Sequence, residues 1–323
     1  MLAFIIRRLG QALLVLMAVG FVSFSMFKFM GDPVENMLGQ EATVADRAEL
    51  EERLGLNDPI IVQYLRYFQR AMSGDFGVSY RAGLPVGEVI LDRLPATLEL
   101  ALLSAVFAIS LGFVLGVYTA IRRDGYLANF IMTTSLIGVS LPTFLIGVFL
   151  IWAFSVNLGW LPSFGRGDTR SLFGVDLAIL TVDGLKSMIL PAVTLGLYQM
   201  TLIMRLVRSE MLEVLRTDYI RFARARGLSQ RAINFGHAMK NTLVPVITVT
   251  GLQFGSIVAF AIITESVFQW PGVGLLFINA VSFVDIPVMS AYLLLVGVIF
   301  VTINLVVDLL YFAIDPRLSV SGK

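Results

Sequence analysis

Long unbroken runs of apolar residues govern what this chain can fold into. A helix needs about 20 consecutive apolar residues to cross the ~30 Å hydrocarbon layer of a bilayer with every backbone polar group bonded inside the segment. Six stretches meet that length: residues 9–30, 97–121, 130–154, 187–204, 244–264 and 288–312. The fourth is the least apolar and holds Pro191 near its start. A large soluble domain would spread its apolar positions at helix or strand periods between polar faces. Of 323 residues 57% are hydrophobic and only 15% charged, too few charges to cover a water-facing surface of this size. The sequence therefore predicts an all-α, polytopic membrane protein with six transmembrane helices.

Lys and Arg in short loops set the orientation, because cytoplasmic loops carry the excess. With a cytoplasmic N-terminus the inner segments hold Arg7, Arg8, Arg122, Arg123, Arg205, Arg208, Arg216, Arg221, Arg224, Arg226, Arg231, Lys240, Arg317 and Lys323. The short outer segments 155–186 and 265–287 hold only Arg166, Arg170 and Lys186. Both termini are thus expected in the cytoplasm, and residues 31–96 form a long external segment to which the rule applies little. Arg7 and Arg8 before an apolar run also fit a secretory signal peptide. The run is too long for one, however, and no small-residue cleavage site follows, so the first helix reads as a retained anchor. The expected organisation is an anchor over 1–30, an external segment over 31–96, a membrane body over 97–312 with an inner segment at about 205–242, and a cytoplasmic tail over 313–323.

Several chemistries are excluded. Cysteine is absent, which removes disulfides, thiolate metal sites and cysteine nucleophiles. His237 is the one histidine, and a net charge of +1 implies no general attraction to nucleic acid. No Gly-x-x-x-x-Gly-Lys-Ser/Thr loop occurs, so nothing in the chain cradles ATP phosphates and any ATP must be bound by other subunits. No cofactor is expected.

Two polar segments carry helix signals. In the external segment a short helix is expected over 45–54. Asp58 followed by Pro59 then reads as an N-cap and first-turn proline, Ile61, Tyr64, Leu65 and Phe68 recur at helical spacing, and Gly74 ends the run. These helices are either surface elements packed on the membrane body or a platform for an external delivery protein. In the inner segment Thr217 or Asp218 caps a helix through Arg226, Gly227 supplies a C-terminal stop, and Ser229 caps a second helix. Ala223 and Ala225 are small enough for a close approach to another surface, while Arg221, Arg224 and Arg226 offer charged donors. Docking fits this make-up, although topology alone also accounts for the arginines.

Asp218-Tyr219-Ile220-Arg221-Phe222-Ala223-Arg224-Ala225-Arg226-Gly227-Leu228, followed by His237 to Pro245, resembles the cytoplasmic loop of binding-protein-dependent ABC importer permeases, the dipeptide, oligopeptide and nickel branch in particular. Gly31-Asp32-Pro33, Gly74-Asp75-Phe76-Gly77, Arg93-Leu94-Pro95-Ala96-Thr97-Leu98-Glu99-Leu100, Ile189-Leu190-Pro191-Ala192, Thr264 to Gly274 and Asn304 to Tyr311 match in the same order. The general pattern of such permeases has Glu-Ala-Ala where this chain has Arg221, Phe222 and Ala223, and a shorter interval than Gly227 to Pro245; both departures resemble the peptide branch. The resemblance implies the type I ABC importer permease fold in a bacterial inner membrane. It also implies a coupling helix made of Asp218, Tyr219, Arg221, Ala223, Arg224, Ala225, Arg226 and Gly227 that seats on a cytoplasmic ATPase. Its implied partners are a second homologous permease, two ABC ATPase subunits, an external solute-binding protein and a peptide or similar small solute moved by alternating access.

Candidate residues of the translocation path are polar groups that a lipid-facing helix avoids: Gln199, Gln253, Ser256 and Glu265. Interhelical hydrogen bonding explains the first three equally well, and Glu265, like Asp308 near the other end of its span, also stands within reach of interfacial water. Gly112 with Gly116, and Gly251 with Gly255, form Gly-x-x-x-Gly pairs that signal close helix packing, and Pro245 signals a helix entry or kink. An autonomous secondary transporter or channel is the rival reading; it calls for a mid-membrane ionisable relay, an internal repeat or a filter-like loop, none of which is evident. A membrane-embedded hydrolase lacks both a histidine pair at metal spacing and a nucleophile elbow.

Overall fold

The computed structural model describes residues 2–29, 45 and 57–314, so Gly31-Asp32-Pro33, most of the helix expected over 45–54 and most of the 313–323 tail lie outside the described residues. Ten α-helices are described: α1 Leu2–Phe29, α2 Ile60–Met72, α3 Val86–Ile121, α4 Tyr126–Ser140, α5 Thr143–Leu150, α6 Val182–Val214, α7 Asp218–Ala225, α8 Met239–Val267, α9 Val273–Ser282 and α10 Ile286–Ile314. Ile151–Asn157 and Ala232–Ala238 are π-helical, and β1 Arg170–Leu172 pairs antiparallel with β2 Val175–Leu177. Among the described residues, four helices are continuous and apolar enough to span a membrane, and two bent pairs bring the number of spans to six if each pair counts as one.

Three boundaries depart from the hydropathy reading. The third span is not one helix: α4 and the helix that starts at Thr143 meet at 109°. Pro142 is the cause, since its ring bars the preceding residue from the helical region, and Leu141 is extended at φ −90°, ψ 138°. The fourth helix runs from Val182 to Val214, well past the predicted 187–204 and through Arg205 and Arg208. Thr181 starts it by accepting the Gly184 amide at 3.0 Å, and Met204, Val207 and Met211 keep its far end buried, so charge at the edge of the apolar run does not end the helix. The second span likewise begins at Val86, eleven residues before the predicted Thr97, with Pro95 inside the helix.

Two compact units divide the chain, Met1–Pro95 with Gly272–Thr302, and Ala96–Pro271 with Ile303–Lys323. In the first, α2 packs on α1: Tyr64 and Tyr67 sit against Phe24, and the Phe68 ring lies where a Cβ on Gly20 would be 3.0 Å away. Gly74 (φ +79°) closes α2, and a Val78–Pro85 bridge folds the following loop. That loop is held by buried Asp285, whose carboxylate accepts the Ser79 hydroxyl at 2.5 Å and the amides of Tyr80 and Arg81 at 3.2 and 3.3 Å. Asp58 does not cap α2; Pro59 stands at that position, while the Asp58 carboxylate pairs with Arg66 at 2.8 Å.

In the second unit the predicted glycine pairs do pack helices. A Cβ on Gly112 would stand 2.8 Å from the Met200 carbonyl and one on Gly116 2.6 Å from Val207, so α3 and α6 approach at contact distance there. Gly251 meets Val307 of α10 in the same way, with a hypothetical Cβ at 2.6 Å. Pro245 lies inside α8, and the 44° bend of that helix falls between Gly251 and Gly255 rather than at the proline.

Candidate functional site

The predicted inner segment folds largely as helix. After α6 ends at Val214, Thr217 takes the N-cap position of α7 in extended conformation, but its hydroxyl turns back to donate to the Val214 carbonyl at 2.6 Å. Asp218, the other predicted cap, instead accepts from Arg221 at 3.2 Å. Its charge still suits the helix start, where unpaired amides leave partial positive charge. Gly227 ends the helix as predicted. At φ +77° it donates to the Arg224 carbonyl at 2.9 Å, and Leu228 donates to Ala223 at 3.3 Å, the paired bonds of a Schellman stop. Ser229 then accepts the Ala232 amide at 3.3 Å and opens the second helix, whose π-helical first part runs without interruption into α8.

α7 has two faces. Ile220 and Ala223 are buried with Ala120, Met211, Ile233 and Ala238, so the inward face is welded to α3, α6 and the π-helical segment that leads into α8. Asn241 adds a hydrogen bond to the Tyr219 hydroxyl at 2.5 Å. Ala223 is therefore small because this chain's own core is tight at that point. The other face holds exposed Asp218, Arg221, Phe222, Arg224, Ala225, Arg226 and Gly227, with the Arg226 guanidinium 5.8 Å from the Phe222 ring centroid. Phe222 was not among the predicted docking residues, yet at 65% exposure it is the largest apolar side chain on that face. A large aromatic on a polar helix was the signal for it.

The predicted path residues fall on α6 and α8. Gln199 is buried with its side-chain carbonyl oxygen unpartnered, whereas Gln253 and Ser256 are half-buried. Glu265 is fully buried rather than within reach of interfacial water, and it accepts the Thr97 hydroxyl at 2.6 Å. Nearby Trp270 donates its indole N–H to the Ala96 carbonyl at 2.9 Å, so the start of the apolar run in α3 holds the exit of α8. Residues missed from sequence stand beside it. Buried Glu99 takes Arg166 at 2.5 Å and the Ile179 amide at 3.1 Å, and Arg166 also donates to the Asp176 carbonyl at 2.6 Å. A carboxylate two residues into an apolar run was the available sign.

Comparison with known proteins gives this arrangement its context. The family described as binding-protein-dependent transport system inner membrane component matches residues 112–320, and its N-terminal companion region matches residues 1–101. The chain belongs to that family. Among curated members, the dipeptide transport system permease protein of Alkalihalophilus pseudofirmus is 42% identical over 332 residues, spanning 99% of this chain and 100% of the relative. The di/tripeptide permease protein of Pseudomonas aeruginosa is 41% identical (98% of this chain, 99% of the relative), and the oligopeptide permease protein of Bacillus subtilis is 39% identical (99% and 100%). A chain of the inward-facing MetNI methionine ABC transporter superposes with a TM-score of 0.57 at 18% identity, covering 71% of this chain and 97% of that one, which shows a shared fold. As a family member the protein is a multi-pass transport component of the inner membrane. Within the family frame, α6, α7 and α8 all fall inside the matched 112–320 region.

Proposed function

We propose that the chain is one membrane-spanning subunit of an ATP-driven importer of short peptides, with both termini in the cytoplasm and α7 as the element that receives force from a separate ATPase. The observation that carries this reading is the division of α7 into a face buried in its own core and a face of exposed arginines around Phe222. A helix gripped on one side by α3, α6 and α8 moves with them. Pressure applied to Phe222, Arg221, Arg224 and Arg226 is then delivered to those helices rather than absorbed by a loop.

Full-length likeness to dipeptide, di/tripeptide and oligopeptide permease proteins supports peptides as the solute class. Membership of the family supports a second permease beside this one, two ATPase subunits and an external solute-binding protein as its partners. Gln199, Gln253, Ser256 and Glu265 are proposed to face the path at some stage of that cycle. The test is uptake of a radiolabelled dipeptide into vesicles carrying the chain alone or with its co-purifying subunits. ATP-dependent uptake only in the assembled form is the expected result; uphill uptake by the chain alone overturns the proposal. Reporter fusions at residues 225 and 170 are expected inside and outside respectively, and the reverse removes the ATPase contact.

A further inference from the structure

We propose that α2 is immersed in the bilayer, with its Ile61, Leu65 and Met72 face against the acyl chains of the leaflet that surrounds the C-terminal half of α1. Depth is the first ground. The apolar run of α1 covers Ile6–Met26, and α2 is fastened to its second half and to the residues just beyond. The Tyr64 hydroxyl donates to the Met17 carbonyl at 2.8 Å, Phe68 covers Gly20, Tyr67 shares a 2.6 Å hydrogen bond with Ser23, and Lys28 donates to Gln63 at 3.0 Å. At 1.5 Å per residue, Met17 to Met26 spans about 14 Å, roughly half of a ~30 Å hydrocarbon layer. A helix bound along that stretch lies beside the hydrocarbon and not above it.

The sectors of α2 are the second ground. Gln63, Tyr64, Tyr67, Phe68 and Ala71 face α1 or are half-covered. Arg66 and Arg70 make a polar sector, in which Arg66 pairs with Asp58 at 2.8 Å and Arg70 with Asp75 at 2.9 Å. Ile61, Leu65 and Met72 are spaced by four and seven residues, which places them on one stripe next to the α1 side, and they are 73%, 55% and 68% exposed. An apolar stripe, a polar sector and aromatic residues at the boundary are the composition of an interfacial helix. Lipid is the occupant because the stripe lies on a helix docked beside the exposed Phe21 and Val22, which belong to the apolar Ile6–Met26 run that is long enough to span a bilayer. The two arginines are neutralised within the chain, so the polar sector needs only water.

The chain has no cysteine, so single introduced cysteines report from one place. Nitroxide labels at I61C, L65C, R70C and M72C are to be compared in the full chain reconstituted in vesicles of phosphatidylethanolamine and phosphatidylglycerol. Collision with oxygen, which concentrates in hydrocarbon, is read against collision with a water-soluble nickel chelate. Residues 61, 65 and 72 are expected to favour oxygen by severalfold and residue 70, on the opposite side of the helix, the chelate, a helical alternation that also certifies that α2 is folded. Equal chelate access at all four sites overturns the proposal. So does shielding of 61, 65 and 72 from both reagents, which would mean that a protein surface covers the stripe.

Discussion

α2 and α7 are built by the same local rules and meet different surroundings. Each is a short amphipathic helix whose run is stopped by a glycine at positive φ, Gly74 at +79° and Gly227 at +77°. α2 buries aromatic rings on α1 and leaves Ile61, Leu65 and Met72 uncovered, whereas α7 buries Ile220 and Ala223 and leaves arginines and one phenylalanine uncovered. The buried face of each fixes it to a membrane helix, and the exposed face then records which medium or partner it meets. An apolar stripe suits lipid; exposed guanidinium groups beside an aromatic suit a protein cleft.

The sharpest way to break this contrast is to truncate one residue from each. Ile220→Ala removes a fully buried side chain and is expected to cost about 2–5 kcal/mol, while Leu65→Ala, on an uncovered face, is expected within about 0.5 kcal/mol. Thermal loss of the monodisperse species in detergent measures both, and equal shifts would mean that the two helices are anchored alike. Next in size is the glycine stop. Gly227→Ala leaves ample room for the new methyl group yet forces a left-handed L-residue, expected to cost about 1–2 kcal/mol. Faster hydrogen exchange at the Leu228 amide reads the loss, and unchanged exchange would show that the Schellman bonds do not hold the corner.

Phe222→Ala tests the exposed face instead. Dipeptide-stimulated ATP hydrolysis by the assembled transporter is expected to fall severalfold, on the order of 1 kcal/mol of docking energy, with no change in thermal stability. Ile61→Ala is expected to leave hydrolysis unchanged, and matching losses would erase the distinction between the helices. The smallest effect concerns Asp75. The hydrogen bond from Arg70, aided by the Gly77 amide, holds its carboxyl below the ordinary 3.8. A lowered folded-state pKa means stabilisation that is present above that ordinary value and lost as pH falls through the folded one. With a half-exposed carboxylate the gain is small, so the protection factors of amides 73–77, which set aside the acid slowing of intrinsic exchange, are expected to fall only slightly on acidification from pH 6 to pH 3. A change already complete above pH 5 would rule this carboxylate out as the cause.

Hydropathy made the membrane class and the six apolar segments legible, because desolvating a backbone leaves so few alternatives. It reads lipid depth and not helix length, which is why Val86–Ala96 and Arg205–Val214 escaped it. An averaged window is also blind to a single residue such as Pro142, whose effect is steric and confined to Leu141. Short-range capping chemistry gave the Gly227 corner, Ser229 and the N-cap position of Thr217 correctly but not a side-chain cap bond from Thr217 or Asp218, whose side chains found nearer partners in Val214 and Arg221. Nothing local could show that Ala223 faces inward, since that depends on Met211 and Ala120, far away in sequence. The Glu99–Arg166 pair escaped for the same reason, its partners being 67 residues apart.

The corner at Leu141 and Pro142 has a consequence for where solvent reaches. Two helix ends face each other there: carbonyl groups at the close of α4 and amides at the opening of α5 lose their usual intrahelical partners. Hydrocarbon cannot satisfy them, so this elbow must be turned toward other protein or toward water. Gly138, packed so closely on Leu197 and Thr201 that a methyl group would sit 2.8 Å from the threonine oxygen, shows one wall already supplied by α6. The elbow thus marks a wetted or protein-lined side of the bundle, distinguishing it from the side that meets lipid.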